Sequence, residues 1–307
     1  MPPLSTHAPT WQNEGLLLPK DPKPVLVVLL LLSSCASIPG PRGPTGPDGP
    51  FARPPAQQQA PFLPPTSDRP WIAIVIDDLG DSVAQIKPFL DIPLPLAFAI
   101  LPDAASARQM AKSLDELGRE FLVHVPMEPN ESQMLLPYGC LLTSMDSGAI
   151  RKASALALAK VPGAIGVNNH MGSRFTRSRD ALRPFMEILL TRGLFFLDSR
   201  TDPGTVAEEV AIEAGVPALR RSVFLDNIDQ PEAIDAMLES LVVTAKTRGC
   251  AIGIGHDRPP IAEALGRFAR SANKGVEVVP ISMLVGRACA RGERTAPAIN
   301  AGQNRPE

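Results

Sequence analysis

Apolar residues in this chain fall into short dense runs, separated by longer stretches where they recur at helical spacing. The runs cover residues 71–76, 94–101, 121–125, 164–168, 194–197, 222–225, 250–255 and 276–281. Short aliphatic runs bounded by turn residues read as buried strands. The stretches between them include residues 106–118, 179–192, 206–214, 231–248 and 260–272. Their apolar residues gather on one face, which predicts amphipathic helices. Gly118, Gly193, Gly215 and Gly249 stand where these helices should end, because glycine enters the left-handed conformation without a Cβ clash. Apolar strands alternating with helices predict parallel strands joined by right-handed crossovers. The alternation repeats often enough to favour an α/β fold of the (β/α)7-8 barrel kind over an open sheet.

Most of these runs end in polar residues. The run Trp71 to Ile76 ends in Asp77-Asp78, and Phe121-Leu122-Val123 ends in His124. Ile165-Gly166-Val167 leads into Asn168-Asn169-His170, Phe196-Leu197 into Asp198, and residues 250–255 into His256. Three of the chain's four histidines are placed this way. In barrels of parallel strands the active site forms at the carboxyl ends of the strands, so these groups should meet on one face. Imidazoles and carboxylates together suit a divalent metal and proton transfer. Simpler readings stand beside this one. Asp77-Asp78-Leu79-Gly80 has the composition of a turn, although two adjacent carboxylates repel and a turn rarely needs both. A lone strand-end histidine is ordinarily structural, which accounts less readily for three of four. Asp198-Ser199-Arg200 reads equally as a salt bridge or helix cap, and Asp226-Asn227 reads as a loop turn.

Composition narrows the class. Of the 307 residues 44% are hydrophobic and 20% charged, and the net charge of -2 gives no electrostatic case for nucleic acid. The 34 prolines are unevenly placed and crowd toward the first seventy residues, which hold 17 of them and cannot form a packed domain. The chain divides into four segments: a signal or membrane-proximal segment over 1–38, a Pro/Gly-rich disordered linker over 39–70, the barrel over 71–286, and a disordered tail over 287–307. Lys20 and Lys23 precede the run Val25 to Leu32, which matches the apolar core of a signal peptide and is too short to span a bilayer. Leu32-Ser33-Ser34-Cys35 resembles a bacterial lipoprotein box, in which the cysteine is lipidated. Export is therefore expected, to the periplasm or to a membrane anchor on its periplasmic side. A cytoplasmic tail with one accidental leucine cluster is the alternative. The Gly-X-Y period from Gly40 to Pro50 is too brief for a triple helix and reads as a stiff spacer. With Cys35 lipidated, Cys140, Cys250 and Cys289 are an odd number, and Cys250 reads as a small buried hydrophobe.

Five blocks occur in order: Ile74-Val75-Ile76-Asp77-Asp78-Leu79-Gly80, His124-Val125-Pro126-Met127-Glu128-Pro129, Asn168-Asn169-His170-Met171-Gly172-Ser173, Phe196-Leu197-Asp198-Ser199-Arg200-Thr201 and Gly255-His256. Together they resemble the divergent polysaccharide deacetylase family, a branch of the metal-dependent carbohydrate deacetylases. The resemblance implies a distorted barrel that holds one divalent ion, usually zinc, and removes acetyl groups from N-acetylated glycans. By position, Asp77 resembles the general base, Asp78 and His124 resemble metal ligands, and His256 resembles the general acid. Better-known deacetylases carry a second metal histidine four residues after the first, where this chain has Glu128. The third ligand is then expected to be His170, with Glu128 the alternative. Arg200 or Arg174 stands in for the family's arginine motif, and Asp198 is placed to orient His256. A different class is also open: a catalytically silent barrel that binds glycan or an envelope protein. Two Trp and one Tyr argue against a long sugar-stacking groove.

Overall fold

Alternation along each strand decides which side chains face the middle of the molecule. In β1 (Trp71–Leu79), Ile72, Ile74 and Ile76 belong to one buried cluster, and Trp71, Ala73 and Val75 belong to another. The first cluster lies between the strands and the surrounding helices; the second fills the space the strands enclose. This computed structural model describes residues 69–131, 135–271 and 275–286. The expected export segment, all but the last two residues of the linker, and the tail over 287–307 lie outside these residues.

The strands continue with β2 (Ala97–Ile100), β3 (Phe121–Met127), β4 (Gly166–Met171), β5 (Phe195–Asp198), β6 (Ala218–Arg220), β7 (Val223–Phe224), β8 (Cys250–His256) and β9 (Glu277–Val278). Every strand pair is parallel, in the order β6-β5-β4-β3-β2-β1-β8-β7, with β9 beside the start of β1. The two ends of this path, β6 and β7, are consecutive in the chain with only Arg221 and Ser222 between them. The sheet therefore curls, and one extended segment carries the pairing from β5 across to β8. The expected α/β barrel of parallel strands is the fold found, in the distorted form.

Helices α1 (Lys87–Leu90), α2 (Ala107–Glu116), α3 (Ser147–Lys160), α4 (Arg179–Arg192), α5 (Ala207–Glu213), α6 (Pro231–Arg248) and α7 (Pro259–Arg270) connect the strands. Gly118, Gly193, Gly215 and Gly249 all take positive φ at or just past helix ends, as expected. In α3 apolar residues are spread around the helix, so periodicity does not single it out; the Asp146 side chain caps it by accepting from Ala149 N at 2.8 Å. The strand expected over 94–101 begins only at Ala97, because Pro95 has no N–H to donate to a ladder. The strand expected over 276–281 stops at Val278, where Pro280 leads into a 3-10 turn.

Glycine in β8 permits close helix packing. A Cβ at Gly253 would come within 2.8 Å of Leu241 in α6, and one at Gly255 within 2.9 Å of Ile261 in α7. Both glycines face outward, so β8 lies tight under its helices and His256 is carried at the end of a well-fixed strand. Cys250 is buried at the start of β8, as its reading as a small hydrophobe expects, and it is also disulfide-bonded.

Candidate active site

Strand alternation and one backbone irregularity assemble the site. In β1 the inward set 71, 73 and 75 continues to Asp77. In β3 Leu122 faces inward and so does His124; in β4 the inward positions are Gly166, Asn168 and His170. By the same alternation Asp78 should face outward. It does not, because its φ is +63° and the β1–β2 register shifts between Ile76 and Leu79. This bulge turns two successive carboxylates toward one centre. A left-handed aspartate costs energy and persists only where its surroundings hold it.

Three atoms converge there. Asp78 Oδ1 lies 2.8 Å from His170 Nδ1 and 3.2 Å from His124 Nε2, and the two ring nitrogens are 3.2 Å apart. Asn168 decides the tautomer of His124. Its Nδ2 donates to Asp77 Oδ1 at 2.9 Å, so its Oδ1 accepts from His124 Nδ1–H at 2.8 Å. The lone pair of His124 Nε2 then points at Asp78 and His170. Two imidazole nitrogens and one carboxylate oxygen, all within 4.8 Å of one another, form a donor set that could hold a divalent cation. Glu128 is engaged elsewhere: its Oε2 accepts from Thr143 N and Thr143 Oγ1, both at 2.6 Å, and Arg174 lies 3.3 Å from its Oε1. Of the two candidate third donors, His170 is the one beside Asp78 and His124.

Electrostatics divide the two aspartates. Burial raises the Asp77 carboxyl, and His124 and Asn168 only partly offset it, so its pKa stays raised. Burial would also raise Asp78, but the two histidine rings set against it outweigh burial and hold that carboxyl far below the usual carboxylate range. Burial pushes His124 down; the charges of Asp77 and Asp78 reverse this and leave its pKa raised.

Across the β1–β8 ladder, Asp77 and His256 are direct partners. His256 is held by Asp226, whose Oδ1 lies 2.9 Å from Nδ1 and whose Oδ2 accepts from the His256 backbone N–H at 2.9 Å. The pair shifts in opposite directions. Burial acts against both charges, yet each partner outweighs it, raising His256 and lowering Asp226. The expectation that Asp198 orients His256 is corrected here, and alternation gives the reason. Phe195 and Leu197 face inward, so Asp198 faces out, where it accepts from Arg200 N at 2.8 Å and Thr205 Oγ1 at 2.9 Å. Phe224 faces inward, so Asp226 does too. Asp226 lies in the loop just past β7, as the turn reading expects, yet its carboxylate is buried against His256.

Arg200 takes φ +50° and offers its carbonyl to Arg221 Nη2 at 2.8 Å, and Arg174 pairs with Glu128. Two other guanidinium groups lie among the strand ends: Arg258, whose Nε is 3.8 Å from Asp226 Oδ2, and Arg221, which the sequence pattern does not single out. It donates through Nε to Ser199 O at 2.6 Å and lies 3.6 Å from the Phe224 ring centre. Phe224 in turn stacks with His256 at 5.9 Å between ring centres. Burial and the neighbouring Arg200 lower the Arg221 pKa to about 10. No sequence signal separates Arg221 from the other arginines, since its place depends on the turn between β6 and β7.

The profile of the family described as divergent polysaccharide deacetylase matches residues 74–285. The chain is 34% identical over 214 residues to the protein YibQ of Escherichia coli (strain K12), covering 70% of this chain and 67% of that one. It is 33% identical over 213 residues to a protein of Haemophilus influenzae, covering 69% and 76%. The crystal structure of protein ATU2773 from Agrobacterium tumefaciens C58 superimposes with a TM-score of 0.69 at 26% identity, over 76% of this chain and 93% of that one. The family match spans both ends of the strand set that builds the site, and the chain belongs to the divergent polysaccharide deacetylase family.

Proposed function

We propose that this protein is a metal-dependent hydrolase that removes acetyl groups from N-acetylated sugars of the bacterial envelope. One observation carries the reading: Asp78, His124 and His170 converge beside a buried carboxylate, Asp77, whose ladder partner His256 is held by Asp226. Asp78, His124 and His170 would hold the ion, and their mixed N/O donor set suits zinc. When bound, the ion supplies Lewis-acid polarisation of the acetyl carbonyl and makes water more acidic.

The remaining steps belong to the chain's own residues. Asp77 has one oxygen tied to Asn168 Nδ2, so Oδ2 is the atom that takes the proton from attacking water. Its raised pKa makes it a better proton acceptor than an ordinary aspartate. Asp226 holds His256 through Nδ1, which directs Nε2 to the leaving amine as proton donor. The raised pKa of His256 keeps the donor protonated nearer neutral pH. Asn168 serves both sides of the site, since one amide fixes the His124 tautomer and the Asp77 carboxylate.

Two features support an exported location. The disulfide at Cys250 fits an oxidising compartment, and the apolar run before Cys35 fits a signal peptide or lipoprotein anchor. Metal analysis of the purified protein, followed by acetate release from N-acetylated chito-oligosaccharides and peptidoglycan fragments with and without chelator, tests the reading. One divalent ion and chelator-sensitive acetate release are expected. Asp77→Asn and His256→Ala should retain the ion and lose about 10²–10⁴-fold in turnover. Glycan binding without acetate release, untouched by either substitution, would replace this reading with that of a silent binding barrel.

A further inference from the structure

The turn just past Asp78 is held by one side chain with no place in the chemistry above. Gln85 lies on a short 3-10 turn, residues 83–86, directly after β1. Its Oε1 accepts three backbone N–H groups: Gly80 at 3.0 Å, Asp81 at 2.9 Å and Ser82 at 3.1 Å. Its Nε2 donates to Asp257 Oδ2 at 2.8 Å, a contact across 172 residues of sequence. Asp257 is the residue after His256, and His256 is the ladder partner of Asp77. One amide therefore grips the chain just past both carboxylates and just past the imidazole opposite.

We propose that Gln85 is a positioning residue, a clasp that fixes the Asp77–Asp78 end of β1 against the His256 end of β8. The inference rests on the proposed roles of those residues. Part of the arrangement is ordinary. Ser82 and Gln85 form a capping box, and a capping box accepts glutamate as readily as glutamine. The donor half is what the box does not need. A glutamate would satisfy the three N–H groups and then set its second oxygen against the Asp257 carboxylate. An amide accepts on one atom and donates on the other, whereas an ionised carboxylate only accepts. The acceptor half also has a specific task. Asp78 sits at φ +63° and Gly80 at φ +134°, and a strained segment keeps its shape only where the residues around it over-determine it. Three bonds to one oxygen, with Ser106 N donating to Gly80 O at 2.7 Å, provide that constraint.

The two halves can be separated in the full-length protein. Readouts are hydrogen exchange at the Gly80, Asp81 and Ser82 amides, zinc affinity by competition with a chromophoric chelator, the thermal midpoint, and kcat and KM for acetate release. Gln85→Glu keeps the acceptor, so amide protection and zinc affinity should stay near those of the parent. The thermal midpoint should fall, and kcat should fall about 10–100-fold with little change in KM, as for other residues that orient functional groups. Adding Asp257→Asn restores a donor to the glutamate and should recover most of both losses. Gln85→Ala should release all three amides to exchange and weaken zinc by about 10–100-fold. Unchanged exchange and zinc affinity in Gln85→Ala, or a double variant no better than Gln85→Glu alone, would overturn the proposal. If the parent releases no acetate, the functional reading fails, while exchange, zinc affinity and thermal midpoint still decide whether Gln85 is the clasp.

Discussion

Replacing Asp226 with asparagine removes a charge and keeps the shape. In the parent, one carboxylate accepts from both the His256 backbone N–H and Nδ1, and its side chain is fully buried beside an imidazole with 25% of its side-chain surface exposed. Coulomb's law sets a ceiling of ~6 kcal/mol for unit charges this close at an effective dielectric of ~20. Hydrogen bonds to charged groups contribute ~1.5–3 kcal/mol when measured by substitution, and asparagine keeps one oxygen for one of the two His256 donors, so a loss of about 2 kcal/mol is expected. The pH dependence identifies the cause. His256 is raised from its ordinary 6.5, so its share of the stability is complete below that value and disappears as pH rises through the raised pKa. Asp226 is lowered from its ordinary 3.8, so its share is complete above that value and disappears as pH falls through the lowered pKa. The difference between parent and variant should be largest from about pH 4 to 6.5 and shrink on the alkaline side. Urea unfolding monitored by circular dichroism at about pH 5.5 and about pH 9 measures it, and an NMR titration should show the His256 midpoint lower in the variant. A difference below about 0.5 kcal/mol at about pH 5.5, or one equal at both pH values, would refute the reasoning.

Three further outcomes are expected. His170→Ala should lower zinc affinity by at least about 10-fold in a chelator competition while Glu128→Gln leaves it near the parent value; the reverse order would move the third donor to Glu128. Gly80→Ala should destabilise by about 2–4 kcal/mol in urea unfolding, because its φ is +134° and the new Cβ would meet Ala104 Cβ at 2.6 Å, and a loss under about 1 kcal/mol would show that the turn yields. Peptide mapping under denaturing, non-reducing conditions should find Cys140 as a free thiol and Cys250 in a disulfide, and reductant should lower the thermal midpoint; alkylation of Cys250 without reductant would contradict this.

Much of the fold is legible in the chain itself, because strand and helix periods leave different imprints on the apolar pattern. Runs such as Trp71–Ile76 and Cys250–Gly255 read as buried strands, and the polar residue at the end of each marks the working edge. Asp77, His124, His170 and His256 all carry that signal. The shortest elements leave little imprint: β6 has three residues and no run marks it, while only two residues of the run over 222–225 pair, as β7. The turn between β6 and β7 places Arg221, so Arg221 escapes the sequence along with β6.

The tertiary structure decided what depends on facing rather than on position along a strand. Asp198 and Asp226 both end apolar runs and look alike in sequence. One points outward to Thr205 and the other inward to His256, because the two strands enter the barrel with opposite parity. Asp78 faces the site only through a left-handed bulge that no pattern announces. Asn168 joins His124 on the adjacent strand to Asp77 on the far side of the enclosed space. A sequence records which side chains are available and the period that buries them; contacts across the interior exist only once the sheet has curled and set the register of every strand.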